Sequence, residues 1–119
     1  MANEFTGILA WLARGWIRQL TVLLCVLGDK DWRAMLRSLA PVATRFILTD
    51  APTAPASRRW PIDEVGAFAA SLGLDSVAEP DFDRALAMAE RSGSTTLVTG
   101  SFHTVGDAMA RLQVSPFSG

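Results

Sequence analysis

The chain has 119 residues, which is enough for one domain with a buried core and too few for a second domain. Its 11 basic and 12 acidic residues give a formal net charge of −1, and its arginines are scattered, so a nucleic acid is not an expected partner. The single cysteine, Cys25, stands in an apolar run and has no second cysteine to pair with. It therefore predicts a buried thiol and a cytoplasmic location.

The first predicted element is an amphipathic helix over residues 5–18, where apolar side chains recur at spacings of three and four. The wider stretch of residues 5–28 is apolar enough to suggest a membrane span or a signal peptide, but Arg14, Gly15 and Arg18 interrupt it. Neither half then reaches the roughly 20 apolar residues of a spanning helix. We expect no membrane association.

A buried strand is predicted over residues 20–27, because a nearly continuous apolar run is typical of a parallel strand covered on both faces. Asp29 and Asp31 follow this run and supply N-cap and first-turn charge to a helix that runs to Leu39. The sequence thus predicts a strand, a short turn and a helix in succession.

The next strand is predicted over residues 43–49, and a loop of residues 50–60 that is rich in alanine and proline follows it. Pro61 occupies the favoured first position of a helix, which Gly73 ends. Loops as long as this one, placed at the end of a strand, are often functional.

The last part of the chain repeats the alternation of strand and helix. A short strand is predicted over residues 75–78, a helix capped by Asp81 over residues 82–91, a strand over residues 95–99 and a final helix over residues 102–112. The spacers between strands are long enough for helical crossovers.

This alternation predicts an α/β fold, a Rossmann-like parallel sheet of about four to five strands with helices on both faces. Residues 1–114 are expected to form the domain, and residues 115–119 a flexible tail. The chain has no zinc-ligand spacing, nucleophile elbow or Walker A motif, so no catalytic residue and no metal ligand is predicted.

Ligands of open α/β sheets bind where the strands end, which makes residues 28–31, 49–50 and 99–101 candidates by position. Gly100 and Ser101 can hold an anion at the start of the last helix, or can simply make the turn and cap the helix, and the sequence favours neither. His103, the only histidine, lacks a partner motif and is more typical of a surface or capping residue than of a catalytic base.

Charged residues of two loops offer further binding candidates. Lys30, the only lysine, can neutralise a phosphate or a carboxylate, although an exposed cap in which Asp29, Lys30 and Asp31 pair with one another is favoured. Arg59, with Arg58 beside it, can clamp a carboxylate or can remain solvated.

The four tryptophans divide into two groups. Trp11, Trp16 and Trp32 stand at inward helical positions and are expected in the core. Trp60, between Arg59 and a proline, is the exception and is expected in the loop.

Several of these segments resemble motifs of one enzyme family. Residues 28–31, Gly-Asp-Lys-Asp, match a strand-end motif; residues 98–101, Val-Thr-Gly-Ser, with residues 105–106 match a closing strand and helix; and residues 9–13 look like the first helix. In this order and spacing they resemble the C-terminal domain of the Mur ligase superfamily, in particular folylpolyglutamate and dihydrofolate synthases. The resemblance covers roughly residues 8–114.

The resemblance implies a function. These enzymes use ATP to join glutamate to a pteroate or folate carboxylate through an acyl phosphate, and their C-terminal domain closes over ATP and helps to seat glutamate. The first strand of that domain, with its Asp-Gly-Ala-His-Asn-Pro type motif, and the ATPase domain are not in this chain, so it is expected to be inactive alone. ATP and Mg²⁺ are implied as cofactors of the complete enzyme, with an N-terminal ligase domain as partner.

The alternative is a stand-alone Rossmann-like binding module that self-associates through the uncovered sheet edge. Under the ligase interpretation, seven residues are expected to contact a substrate or nucleotide. These residues are Asp29, Lys30, Asp31, Arg59, Gly100, Ser101 and His103.

Overall fold

The structure of the protein, a computed structural model, describes residues 19–112. The helix predicted over residues 5–18 and the tail of residues 115–119 lie outside the described residues, as do Trp11 and Trp16. The described residues form one parallel sheet in the order β3-β2-β1-β4. Its strands are β1 (Leu20–Leu24), β2 (Arg45–Leu48), β3 (Ser76–Ala78) and β4 (Thr95–Thr99).

A helix follows each of these strands, as the predicted alternation requires. The helices are α1 (Trp32–Leu39), α2 (Ile62–Ser71), α3 (Phe82–Arg91) and α4 (Phe102–Leu112), with a short 3₁₀ turn at Ala56–Arg58. Among residues 19–112, no helix has the length and apolar character needed to cross a membrane. The predicted α/β class and the parallel sheet are confirmed.

β4 has the predicted bounds, whereas the other three strands are shorter than predicted. β1 ends at Leu24, although Cys25, Val26 and Leu27 are also buried. The apolar run therefore indicates which residues are buried, and three of them follow the last residue that pairs with a neighbouring strand.

β2 begins at Arg45, because the N–H of Ala43 still donates to the carbonyl of Leu39 at the end of α1. The N–H of Thr44 donates to the carbonyl of Leu20 just before the strand begins.

The core has two halves, one on each face of the sheet. One half contains side chains from β1 and β2 with α1 and α2, among them Val22, Leu24, Leu36, Leu48 and Val65. The other contains side chains from the opposite face of the same strands with α3 and α4, among them Leu23, Ile47, Phe82, Ala85 and Ala108. All five residues of β1 are buried, because helices cover both faces of this central strand.

Trp60 lies in the loop, as predicted, but its side chain belongs to the core, so its exclusion from the core was wrong. Its side chain is only 4 % exposed, and its ring packs edge-to-face on Trp32 with 6.5 Å between the centroids. Its Nε1 donates a hydrogen bond to the carbonyl of Thr49 at 2.9 Å. The loop folds back across the end of the sheet, and this return buries a ring that its sequence neighbours alone would leave in solvent. The core position of Trp32 is confirmed.

Candidate functional site

A cleft of about 390 Å³ opens at the carboxyl end of the sheet, where the loop of residues 50–60, here called the β2–α2 loop, faces the start of α3. The cleft lies on the side of an α/β sheet on which ligands collect. Its lining residues are Asp50, Pro52, Arg59, Pro80, Asp81, Phe82 and Asp83.

Asp50 is the most unusual group of the cleft. Its Oδ1 atom is buried and has no hydrogen-bond partner among the residues that the structure describes. Burial raises the pKa of the Asp50 carboxyl above its usual value, and the nearby charge of Arg59 opposes this rise. A position at a strand end places Asp50 at this edge of the sheet, but nothing in the sequence indicates that one of its oxygens is buried without a partner.

Arg59 faces the same cleft with its side chain exposed. Within residues 19–112 its guanidinium forms no ion pair, so its donors are available to a ligand. Gly28 holds the backbone of this segment in place, because its N–H donates to the carbonyl of Arg58 at 2.7 Å. A Cβ on Gly28 would lie 2.8 Å from the carbonyl oxygen of Arg59, so the close approach requires glycine.

Asp29, Lys30 and Asp31 serve three different purposes. The Asp29 carboxylate accepts hydrogen bonds from the Arg58 guanidinium, the shortest at 3.0 Å, and this contact holds the pKa of Asp29 below its usual value. Asp31 caps α1 by accepting from the N–H of Ala34 at 3.1 Å. Lys30 is exposed. The favoured expectation of mutual pairing is wrong for Asp29, since its partner is Arg58 on the β2–α2 loop.

Gly100 and Ser101 build the turn from β4 into α4. Gly100 has a φ of 121°, and a Cβ there would lie 2.8 Å from the carbonyl carbon of Cys25. Ser101 Oγ accepts from the N–H of Thr104 at 3.2 Å. Because the Thr104 hydroxyl donates to the carbonyl of Cys25 at 2.8 Å, the 2.9 Å contact between the two hydroxyls is donated by Ser101. The geometry is that of a turn and a helix cap, and a role in binding an anion stays a prediction.

His103 faces the β2–α2 loop through a contact that the sequence did not indicate. Its Nδ1 lies 3.3 Å from the hydroxyl of Thr53, and that hydroxyl donates to Oδ2 of Asp107 at 3.1 Å. Since the Thr53 proton is used on Asp107, His103 Nδ1 is assigned as the donor to Thr53. Sequence reasoning missed Thr53 and Asp107 because they are 54 residues apart and form no motif.

The structure brings three of the seven predicted residues together at the β2–α2 loop, and the seven do not converge on one point. Arg59 belongs to the second half of this loop, Asp29 pairs with Arg58 beside it, and His103 contacts the first half through Thr53. Ser101 is engaged in capping α4. Among residues 19–112, no three His, Cys, Asp or Glu side chains are grouped so as to hold a metal ion.

The sheet order, the helices on both faces and the cleft at the carboxyl edge define a Rossmann-like α/β domain. Among solved structures, this fold is similar to part of the folylpolyglutamate synthase of Mycobacterium tuberculosis. For the complex with ADP and AMPPCP the TM-score is 0.80 at 24 % sequence identity, with 96 % of this chain and 28 % of that chain covered. For a complex with ADP the TM-score is 0.75 at 22 % identity, with 93 % and 27 % covered.

This likeness confirms at the level of the fold the resemblance seen in the motifs. The chain spans a little more than a quarter of the synthase chains that it matches. No protein-family model and no curated protein matches the sequence.

Proposed function

We propose that this chain is the C-terminal domain of an ATP-dependent acid–amino acid ligase of the folylpolyglutamate or dihydrofolate synthase type, and that it is inactive alone. The observation that carries the proposal is the similarity of fold over 96 % of the chain. The Gly-Asp-Lys-Asp motif of residues 28–31 and the Val-Thr-Gly-Ser motif of residues 98–101 support it independently, since both stand at strand ends.

Glutamate is the ligand that we assign to the cleft. A guanidinium presents paired donors that match a carboxylate, and Arg59 lines the cleft without an ion-pair partner in the described part of the chain. Asp50 lines the same cleft, and a carboxylate is an acceptor for an ammonium group. The two opposite charges of Arg59 and Asp50 suit the two ends of an amino-acid zwitterion.

ATP and Mg²⁺ are assigned chiefly to the rest of the complete enzyme. Lys30 is exposed, and its positive charge would be available to a phosphate. The metal ligands and the groups that drive phosphoryl transfer to a folate or pteroate carboxylate would come from an ATPase domain. This chain's own contribution is to bind and orient the amino acid.

Calorimetric titration of the purified chain with glutamate tests the cleft assignment. We expect a dissociation constant below about 1 mM, which corresponds to a binding free energy of about −4 kcal/mol. Arg59→Ala should weaken binding at least tenfold, whereas Arg91→Ala, at the far end of α3, should not change it. Glutarate lacks the ammonium group and should bind more weakly than glutamate.

Equal dissociation constants for glutamate and glutarate, or an unchanged dissociation constant for glutamate in Arg59→Ala, would overturn the assignment. Titration with Mg-ATP then shows whether nucleotide recognition needs the other domain. If the chain binds neither glutamate nor Mg-ATP, the assignment of glutamate to the cleft is wrong for this chain.

The second candidate is a self-associating module without ligase activity. It is favoured by β4, which in the described sheet pairs with β1 and has no strand on its other side. A discrete dimer in light scattering would support this candidate, and a monomer that associates with a ligase ATPase domain would support the first.

A further inference from the structure

Asp107 carries the one charged side chain among the buried residues of the described part of the chain, at 4 % exposure. Its Oδ2 accepts two hydrogen bonds from Thr53, one from the backbone N–H at 3.2 Å and one from the hydroxyl at 3.1 Å. The guanidinium of Arg111, one turn further along α4, lies 3.9 Å from Oδ1. A buried carboxylate of this kind needs its donors, because an ionised group without partners is costly in a protein interior.

The two donors of Thr53 belong to the β2–α2 loop. The two halves of this loop are held in different ways. The second half is fixed by the hydrogen bond from Gly28 to the Arg58 carbonyl and by the buried ring of Trp60. In the first half, the side chains of Ala51 and Ala54 are buried. The polar contacts of this half are made by Thr53 with Asp107 and His103 of α4.

The first half of the loop also covers Cys25. Ala51 and Ala54 belong to the same buried cluster as Cys25, and Cys25 itself is only 3 % exposed. Asp50 and Pro52, which flank Ala51, line the cleft. Movement of this half would therefore uncover the thiol and change the wall of the cleft at the same time.

We infer that Asp107 is a positioning residue that latches the first half of the β2–α2 loop closed through Thr53, and that the loop opens locally when the latch is removed. Thr53 is exposed, so water can replace Asp107 as its partner on opening, while Asp107 regains hydration. The latch is thus a contact that can be broken without unfolding the sheet.

Cys25 provides the test, because it is the only cysteine of the chain and is buried together with Ala51 and Ala54 of the loop. The measurement is the rate of Cys25 alkylation in the absence of any ligand, at zero and at several low urea concentrations. We expect Asp107→Ala to raise the rate roughly tenfold to a hundredfold, as for the loss of hydrogen bonds to a charged group. Thr53→Val keeps the N–H donor and should show a smaller increase, and Thr53→Ser should restore the wild-type rate.

The matched control is Asp83→Asn. Asp83 is a second carboxylate that pairs with Arg111, at 2.9 Å, but it makes no hydrogen bond to the loop. This variant should alkylate at the wild-type rate.

The urea dependence separates a latch from a general loss of stability. Local opening exposes little surface, so the faster rate should depend weakly on urea, whereas labelling through global unfolding rises steeply. The inference would be overturned if folded Asp107→Ala were alkylated at the wild-type rate. It would also be overturned if the alkylation rate of this variant rose only with the steep urea dependence of global unfolding. If Asp107→Ala does not fold, the series Thr53→Val and Thr53→Ser decides by the same criteria. Since no ligand is present, the result is independent of whether glutamate binds.

Discussion

At the scale of single residues, Asp50 shows a conflict between stability and binding. Its buried oxygen has no partner in the described structure, so ionisation is disfavoured in the folded chain. A raised folded-state pKa means that the folded chain binds this proton more readily than the unfolded chain. The resulting stability is fully present below the usual carboxyl pKa and is lost as the pH rises through the folded pKa.

Asp50→Asn removes this pH dependence and should stabilise the chain at pH 7. We expect a gain on the order of 0.5–1 kcal/mol, because asparagine removes the charge but keeps a polar atom at this partly exposed position. The advantage should shrink towards acidic pH in urea denaturation. Asp63→Asn, at an exposed site in the first turn of α2, should show no such gain. A constant difference across the pH range would contradict the assignment, and the same variant should lose glutamate affinity.

Gly100 illustrates a second constraint on a single residue. Gly100→Ala places a side chain at a φ of 121° and against the Cys25 carbonyl, so we expect a loss of about 3 kcal/mol in urea denaturation. Gly106→Ala is the matched control, because a Cβ there meets open space on α4 and alanine favours a helix by roughly 0.5–1 kcal/mol. Equal effects of the two substitutions would refute the close-packing explanation.

At the scale of elements, the β2–α2 loop contacts α4 and the segments that follow β1 and β2. Trp60 fixes it to the core by burial and by the hydrogen bond to Thr49, while Arg58 and Thr53 connect it to Asp29 and Asp107. Buried apolar contact contributes more than an exposed ion pair, so Trp60 should dominate the stability of this loop.

Truncation of Trp60 measures that contribution. We expect Trp60→Ala to cost about 3–5 kcal/mol from lost burial and the cavity left behind. Trp60→Phe retains an aromatic ring but loses the donor to Thr49 and should cost about 1–2 kcal/mol. Leu72→Ala, at a leucine that is 39 % exposed, should cost no more than about 0.5 kcal/mol in the same circular-dichroism unfolding series. A small loss in Trp60→Ala would mean that the loop is held chiefly by its polar contacts.

At the scale of the whole molecule, local patterns predicted the sheet and the helices well. The caps at Asp31 and Asp81 are local signals that stand where the pattern placed them. Pro61 lies one residue before α2 instead of at its first position, and the apolar run of β1 begins where the strand begins but continues past its end. Hydrophobic periodicity and capping act between residues close in sequence, so they can be read without knowledge of the fold.

The candidate site was only partly predictable. The strand-end rule placed residues 28–31, 49–50 and 99–101 at one edge, because parallel strands end on the same side of a sheet. It could not show that Asp29 pairs with Arg58, since that contact depends on how a long loop returns across the sheet.

The sequence by itself determined the α/β class, the succession of elements and the edge at which polar residues gather, because these follow from short-range periodicity, capping and turn chemistry. Only the tertiary structure decided that Trp60 is buried, that Asp50 has a buried oxygen without a partner in residues 19–112, and that Asp107 receives the donors of Thr53. The physical reason is that burial and hydrogen bonding between distant residues are set by the path of the β2–α2 loop, and no local pattern encodes that path.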